Sequence, residues 1–142
     1  MRFYKGIPLV LDDNADRGPI AGIASALTFA REHGVDRVLT ISCDTPFLPA
    51  DLCDRLDDAL TEPAGAALAA SGGRLHSTCG MWRTTCLDEL SAYTASGRAS
   101  LHGFAEAIGA VEVQWSNEPI DPFFNINSAN DLAEAEVMLK NW

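Results

Sequence analysis

The feature that most constrains this chain is a repeated order: a short apolar run, a polar break, then a stretch with helical spacing. Ile7-Pro8-Leu9-Val10-Leu11 breaks into Asp12-Asp13-Asn14-Ala15-Asp16 and reads as a buried strand feeding a polar loop. Gly18-Pro19 then opens a helix, because the fixed φ of proline suits the first helical position. Ile20, Ile23, Leu27 and Ala30 fall on one face of it and His33-Gly34 stops it. The order repeats with Asp36 to Ser42, a strand that ends at Cys43-Asp44-Thr45-Pro46, where proline has no N–H for a ladder. A helix from about Pro49 follows, with Leu52, Leu56 and Leu60 in one stripe. Strands separated by helices join as parallel neighbours through crossovers, so the pattern predicts an open α/β sheet.

The rest of the chain fits that scheme. Ala66 to Ala70 and Leu75 to Trp82 read as strands joined across Ser71-Gly72-Gly73, a hairpin-compatible loop. Thr84 to Ala95 reads as a helix with Leu87 and Leu90 inward, and Ala99 to Ile108 as another. Val111 to Trp115 alternates as a strand with one wet face, and Phe123 to Asn127 reads as a last extended piece. Ser128 caps a terminal helix with Asp131 three residues on, and Leu132, Ala135 and Leu139 are expected to face inward. Trp82, Trp115 and the leucine stripes are expected in the core. With 142 residues, 47% of them apolar, a single domain with a real core is the expectation.

Charge narrows the function. A net charge of −10 repels phosphodiester backbones and anionic membrane surfaces, so no nucleic acid and no membrane partner is expected. A single nucleotide remains compatible, because backbone N–H groups and a divalent cation can build a phosphate site. Cys43, Cys53, Cys79 and Cys86 show no disulfide framework and no C-x-x-C pair, which fits reduced thiols in the cytoplasm. The apolar run after Gly6 is too short for a signal h-region or a span.

In open parallel sheets, ligands collect beyond the carboxyl ends of strands. Asp44 ends an apolar strand and would face that crevice, where Mg²⁺ could use its hard oxygen together with waters and substrate phosphates. The same aspartate could instead close an Asx turn before Pro46. Gly18 to Gly22 could bring backbone close to a nucleotide at a helix N-terminus, or simply cap the helix. Asn125 and Asn127, two apart, would share one face of an extended segment and offer amide donors and acceptors, or serve turn chemistry before Ser128. His76-Ser77-Thr78-Cys79 has a spacing a metal could use, but no second pair completes a transition-metal site.

Taken together, these segments resemble the molybdenum cofactor guanylyltransferases across nearly the whole chain. Asp16-Arg17-Gly18-Pro19-Ile20-Ala21-Gly22-Ile23 is similar to that family's Gly-Pro-Leu-Ala-Gly helix start. Cys43 to Leu52 is similar to its Cys-Asp-Thr-Pro-Phe segment, and Phe124-Asn125-Ile126-Asn127-Ser128 to its Phe-x-Asn-x-Asn-Thr. His76 to Trp82 resembles a His-Pro strand ending in Trp, with Ser77 where proline is usual. The resemblance implies a Rossmann-like, three-layer α/β/α nucleotidyltransferase fold with a mostly parallel sheet. It implies transfer of GMP from GTP to molybdopterin with Mg²⁺, releasing pyrophosphate, and contact with other molybdenum cofactor biosynthesis proteins. It implies that Asp44 is the metal and GTP ligand and the catalytic carboxylate, that Asp13 and Gly18 also contact the nucleotide, and that Asn125 and Asn127 lie on the pterin side.

The family pattern begins with a strand and a Leu-Ala-Gly-Gly-x-Ser-x-Arg-Met-Gly-x-x-Lys loop that grips the triphosphate, and residues 1–142 contain no counterpart. On the resemblance, the chain is therefore one partial domain, expected to be inactive alone. Ile7 to Leu11 is expected to lack parallel partners or to pair elsewhere, leaving the Val38 to Ser42 strand with a bare edge. The same residues also fit a cytidylyltransferase acting on the pterin or another small nucleotidyltransferase, because base choice belongs to the segment without a counterpart. A reading of another class is a non-catalytic remnant that serves as a binding module.

Overall fold

The computed structural model describes residues 2–12 and 17–141, so Asp13 lies outside the described residues. β1 (Arg2–Tyr4) and β2 (Ile7–Leu9) pair antiparallel as a two-stranded sheet of their own, turned through Lys5 and Gly6 at φ 50° and 82°. The first apolar run thus pairs backwards onto the residues before it rather than entering the main sheet. α1 (Pro19–Glu32) starts after Gly18, whose φ of 72° suits glycine, and buries Ile20, Ile23, Leu27 and Ala30.

β3 (Arg37–Thr40), α2 (Leu52–Ala59), β4 (Ala66–Ser71) and β5 (Arg74–Arg83) follow, with the β4–β5 turn made by Gly72 and Gly73 at φ 54° and 75°. A short 3-10 turn leads into α3 (Leu87–Ala95), then α4 (Leu101–Ala107), β6 (Val111–Trp115) and α5 (Ala129–Lys140). The four-stranded sheet has the order β3-β5-β4-β6. β3 and β4 both run antiparallel to β5, and β4 runs parallel to β6, so three strands point one way and β5 the other. Among the described residues β3 has a strand on one side only, which is the bare edge expected from the sequence.

Alternation along the strands builds two cores, one per face. Ala66 and Leu68 of β4, with Trp82 of β5, meet Ile20, Leu27, Leu90 and Phe104 of α1, α3 and α4. Ala67 and Ala69, with Cys79 and Met81, meet Leu52 and Leu56 of α2 together with Trp115 and Phe123. The result is the expected α/β/α layering.

Two expectations fail locally. Phe123 to Asn127 forms no strand: Phe124 N–H closes a turn on Asp121 O at 3.1 Å, and one bond from Ile126 N–H to Asp44 O, 2.9 Å, ties the segment down. A single main-chain tie is too little to make a ladder. α5 has its expected capping box of Ser128 and Asp131, yet Leu132 and Leu139 are 50% and 59% exposed and only Ala135 is buried. No residue of α5 belongs to either core. Leu139 borders a shallow pocket with Pro46 to Leu48, and Val137 and Met138 border a cavity with Pro119 and Ile120, so much of the stripe is left uncovered.

Candidate functional site

The β3 strand ends at Thr40 and the chain turns over residues 42–45, where Thr45 Oγ1 donates to Ser42 O at 2.9 Å. Thr45 therefore supplies the turn chemistry that the Asx reading had assigned to Asp44. Asp44 Oδ1 is buried and has no hydrogen-bond partner among the described residues. A buried carboxylate oxygen normally has a donor, because desolvation without one costs about 1–3 kcal/mol or more for a charged group. The backbone carbonyl of the same residue accepts from Ile126 N–H at 2.9 Å, which brings the strand-end aspartate beside the Asn125-Ile126-Asn127 segment.

A cleft of about 260 Å³ lies in the same region. Ser42 and Thr45 form one wall, the first half of β5 another, and Phe123 and Asn125 a third. Pro19 at the start of α1 and His102 of α4 close it. Because β5 runs against β3 and β4, its N-terminal half sits with their carboxyl ends, which is how Arg74 to Thr78 reach a site beyond those ends. Ser42 and Thr78 share a hydroxyl–hydroxyl bond of 2.6 Å across it.

The candidate residues read from the sequence separate here. Asn125 lines the cleft, whereas Asn127 N–H is committed to Asp131 Oδ2 at 2.9 Å in the cap of α5. That bond, with hydrogen bonding from Ser128, whose N–H donates to Oδ2 at 3.0 Å, holds the exposed Asp131 carboxyl below its usual range. Gly18 sits at φ 72°, which suits glycine, and a Cβ there would meet no protein atom within 4 Å. Asp13 falls outside the described residues.

One constellation escaped the sequence reading. Ser71 Oγ, at the end of β4, donates to Asp121 Oδ1 at 2.8 Å and lies 2.8 Å from His76 Nε2. Asp121 Oδ1 also accepts from Phe123 N–H at 2.9 Å, and the Phe123 ring stacks on His76 with centroids 4.7 Å apart. Burial lowers the His76 pKa, the Asp121 charge opposes that shift, and Arg74 adds to it. The hairpin spacing of Ser71 and His76 was legible, but their joint dependence on Asp121 was not. Among the described residues no three His, Cys, Asp or Glu side chains cluster to hold a metal, so a cation at Asp44 would take its remaining ligands from phosphates and water.

Residues 2–111 match the family model described as MobA-like NTP transferase domain. The chain is 38% identical over 135 residues to a molybdenum cofactor guanylyltransferase of Cereibacter sphaeroides, covering 95% of this chain and 67% of the relative. It is also 38% identical over 142 residues to one of Rhizobium johnstonii, covering 94% and 68%. Two crystal structures share the fold. A protein of Aquifex aeolicus VF5 superposes with a TM-score of 0.72 at 23% identity, over 86% of this chain and 63% of that one. The molybdopterin-guanine dinucleotide biosynthesis protein A of Archaeoglobus fulgidus superposes with a TM-score of 0.67 at 21% identity, over 87% and 63%. The chain thus spans roughly two thirds of the length of its relatives.

Proposed function

This chain belongs to the MobA-like NTP transferase family of nucleotidyltransferases, and from that premise we propose that its chemistry is transfer of GMP from GTP to the phosphate of molybdopterin, with Mg²⁺ bound at Asp44 and pyrophosphate released. The observation that carries this reading is the buried, unpartnered Oδ1 of Asp44 at the carboxyl end of β3. Its donor set fits the ion: one hard carboxylate oxygen is what magnesium usually takes from a protein when nucleotide phosphates and water complete an octahedral shell. When bound, the ion neutralises charge that develops on the phosphate oxygens during transfer.

The chain's own residues do the positioning. Asp44 holds its place because its backbone carbonyl is tied to Ile126 and the turn before it is closed by Thr45. The N-terminus of α1, preceded by Gly18, presents partial positive charge towards the nucleotide, with Asp13 as a second nucleotide contact. The amide of Asn125 offers donors and an acceptor on the acceptor side, with Asn127 behind it. No protein nucleophile is required, because an oxygen of the acceptor phosphate can attack the α-phosphorus in line.

Arg74 is the one permanently charged cation among the described residues that line the cleft, a weak counter to a triphosphate. The chain by itself is therefore expected to bind GTP weakly and to turn it over poorly. Amide NMR on the chain with GTP and Mg²⁺ tests both points. Magnesium-dependent shifts are expected at Thr45, Asn125 and the start of α1, with only a small rise in melting temperature. The shifts should vanish in Asp44→Asn. Shifts that survive that substitution would remove Asp44 from the site, and a rise of many degrees would refute weak binding. CTP in place of GTP reports base preference: equal or stronger shifts with CTP favour cytidylyl transfer.

A further inference from the structure

Apart from the thiol of Cys79, every ionisable side chain lining the cleft is basic: Arg74, His76 and His102. This stands out in a chain of net charge −10 and suits an anionic group. His102 also lies 3.4 Å from Glu106 on the outer side of α4, and Asp121 reaches His76 only through Ser71.

The single proton of the Ser71 hydroxyl is committed to Asp121 Oδ1. Ser71 must then accept from His76, so Nε2 carries the ring proton and Nδ1 keeps the lone pair. Nδ1 has no hydrogen bond to a described residue, and it is not a fully buried atom. The stacked Phe123 ring fixes the plane of the imidazole.

We propose that His76 is the proton acceptor for the incoming phosphate monoester, held in the correct tautomer by the Asp121–Ser71 relay. The monoester monoanion loses its remaining O–H proton to Nδ1: the O–H bond breaks and an Nδ1–H bond forms. The imidazolium then donates Nδ1–H to the dianion and Nε2–H to Ser71, while the Asp121 carboxylate beyond Ser71 offsets the new charge. One proton moves and no other reactant is consumed. A phosphate monoester gives up its second proton near pH 6 and an ordinary imidazole near 6.5, both roughly. Burial lowers the ring's pKa in the free protein, so the exchange comes close to balanced only when the dianion beside the ring offsets that burial. Burial keeps the ring neutral until the anion arrives.

The identity of the acceptor rests on the guanylyl-transfer reading, but the test of His76 does not. Nitrogen NMR of the chain should show the Nε2–H tautomer in the free protein. Between pH 5 and 8, inorganic phosphate or phenyl phosphate should raise the His76 pKa by at least about half a unit. An Nδ1–H tautomer, or a titration unmoved or lowered by either probe, overturns the proposal. His76→Asn and His76→Gln each keep a polar amide but cannot take a proton, so both should reduce the pH dependence of phosphate binding to what the phosphate and His102 contribute. In a GMP-transfer assay both should lower kcat by about 10²-fold without changing the KM for GTP. Transfer unaffected by either substitution refutes His76 alone; transfer from CTP and not from GTP by the unsubstituted protein counts against the guanylyl reading, and the NMR result still decides His76.

Discussion

β4 and the β1–β2 hairpin are both short, extended and rich in apolar residues, yet they occupy opposite ends of the burial scale. No residue of β4 is more than 1% exposed, although four of its six are alanines. In the hairpin Phe3, Tyr4, Ile7 and Leu9 are 59%, 62%, 67% and 46% exposed. Side-chain size therefore does not decide burial here; neighbours do. β4 has β5 on one side, β6 on the other and helices over both faces, whereas β1 and β2 have only each other among the strands described.

If that contrast is correct, the largest effect should come from Trp82, which β5 packs beside β4. Its ring is fully buried, stacks on Phe104 at 6.2 Å, and donates from Nε1 to Thr40 Oγ1 at 2.9 Å. Trp82→Ala is expected to cost about 3–5 kcal/mol in urea unfolding, whereas Phe3→Ala should fall within about 0.5. Equal costs would show that the hairpin is packed after all. The next effect concerns glycines. A Cβ at Gly80 would stand 2.9 Å from Ala67 O, inside the β4–β5 pairing, so Gly80→Ala should cost about 1–3 kcal/mol. Gly6→Ala meets nothing within 4 Å. Its left-handed strain of roughly 1–2 kcal/mol opens the hairpin locally and should leave the global midpoint in place.

What was legible from the sequence was local chemistry. Pro19 at the start of α1, the Gly72-Gly73 turn and the Ser128–Asp131 box act within a few residues, and each does what its residue types dictate. The turn after β3 was legible for the same reason, since a strand and its first turn are contiguous, and Ser42 and Thr45 of that turn line the cleft. Leu132 and Leu139 had helical spacing, but spacing identifies a stripe and not the surface it meets, and the loops beside α5 cover little of it. The Ser71–His76–Asp121 relay needed a contact across 50 residues, beyond any local rule. Its parts could be seen singly, and only the fold joins them.

The cysteines extend the same contrast between the sheet interior and the rim. Burial pushes the thiols of Cys79 and Cys86 up to about 11, while Cys43 and Cys53 are exposed. Because the thiolate is the reactive form, a disulfide reagent at pH 8 should modify two cysteines quickly and two only at the rate at which the fold opens. Four equal rates would mean that neither core is closed over its cysteine. Mass mapping should assign the slow pair to Cys79 and to Cys86.

The smallest expected effect lies where the two environments meet, at His76, half-buried between β4 and the cleft. Its folded pKa lies below the ordinary value of 6.5, chiefly through burial, so the neutral ring is the form the fold favours. The stability it contributes is fully present above that unfolded value and is lost as pH falls through the lower folded one. Between pH 7.5 and 5 the protein should therefore lose more stability than His76→Asn does, because the carboxylates that titrate in this range are common to both and cancel. Urea midpoints at the two pH values measure the difference. Parallel loss in both proteins would mean that the ring is solvated like an ordinary histidine. The relay through Ser71 to Asp121 would then not be holding it between sheet and cleft.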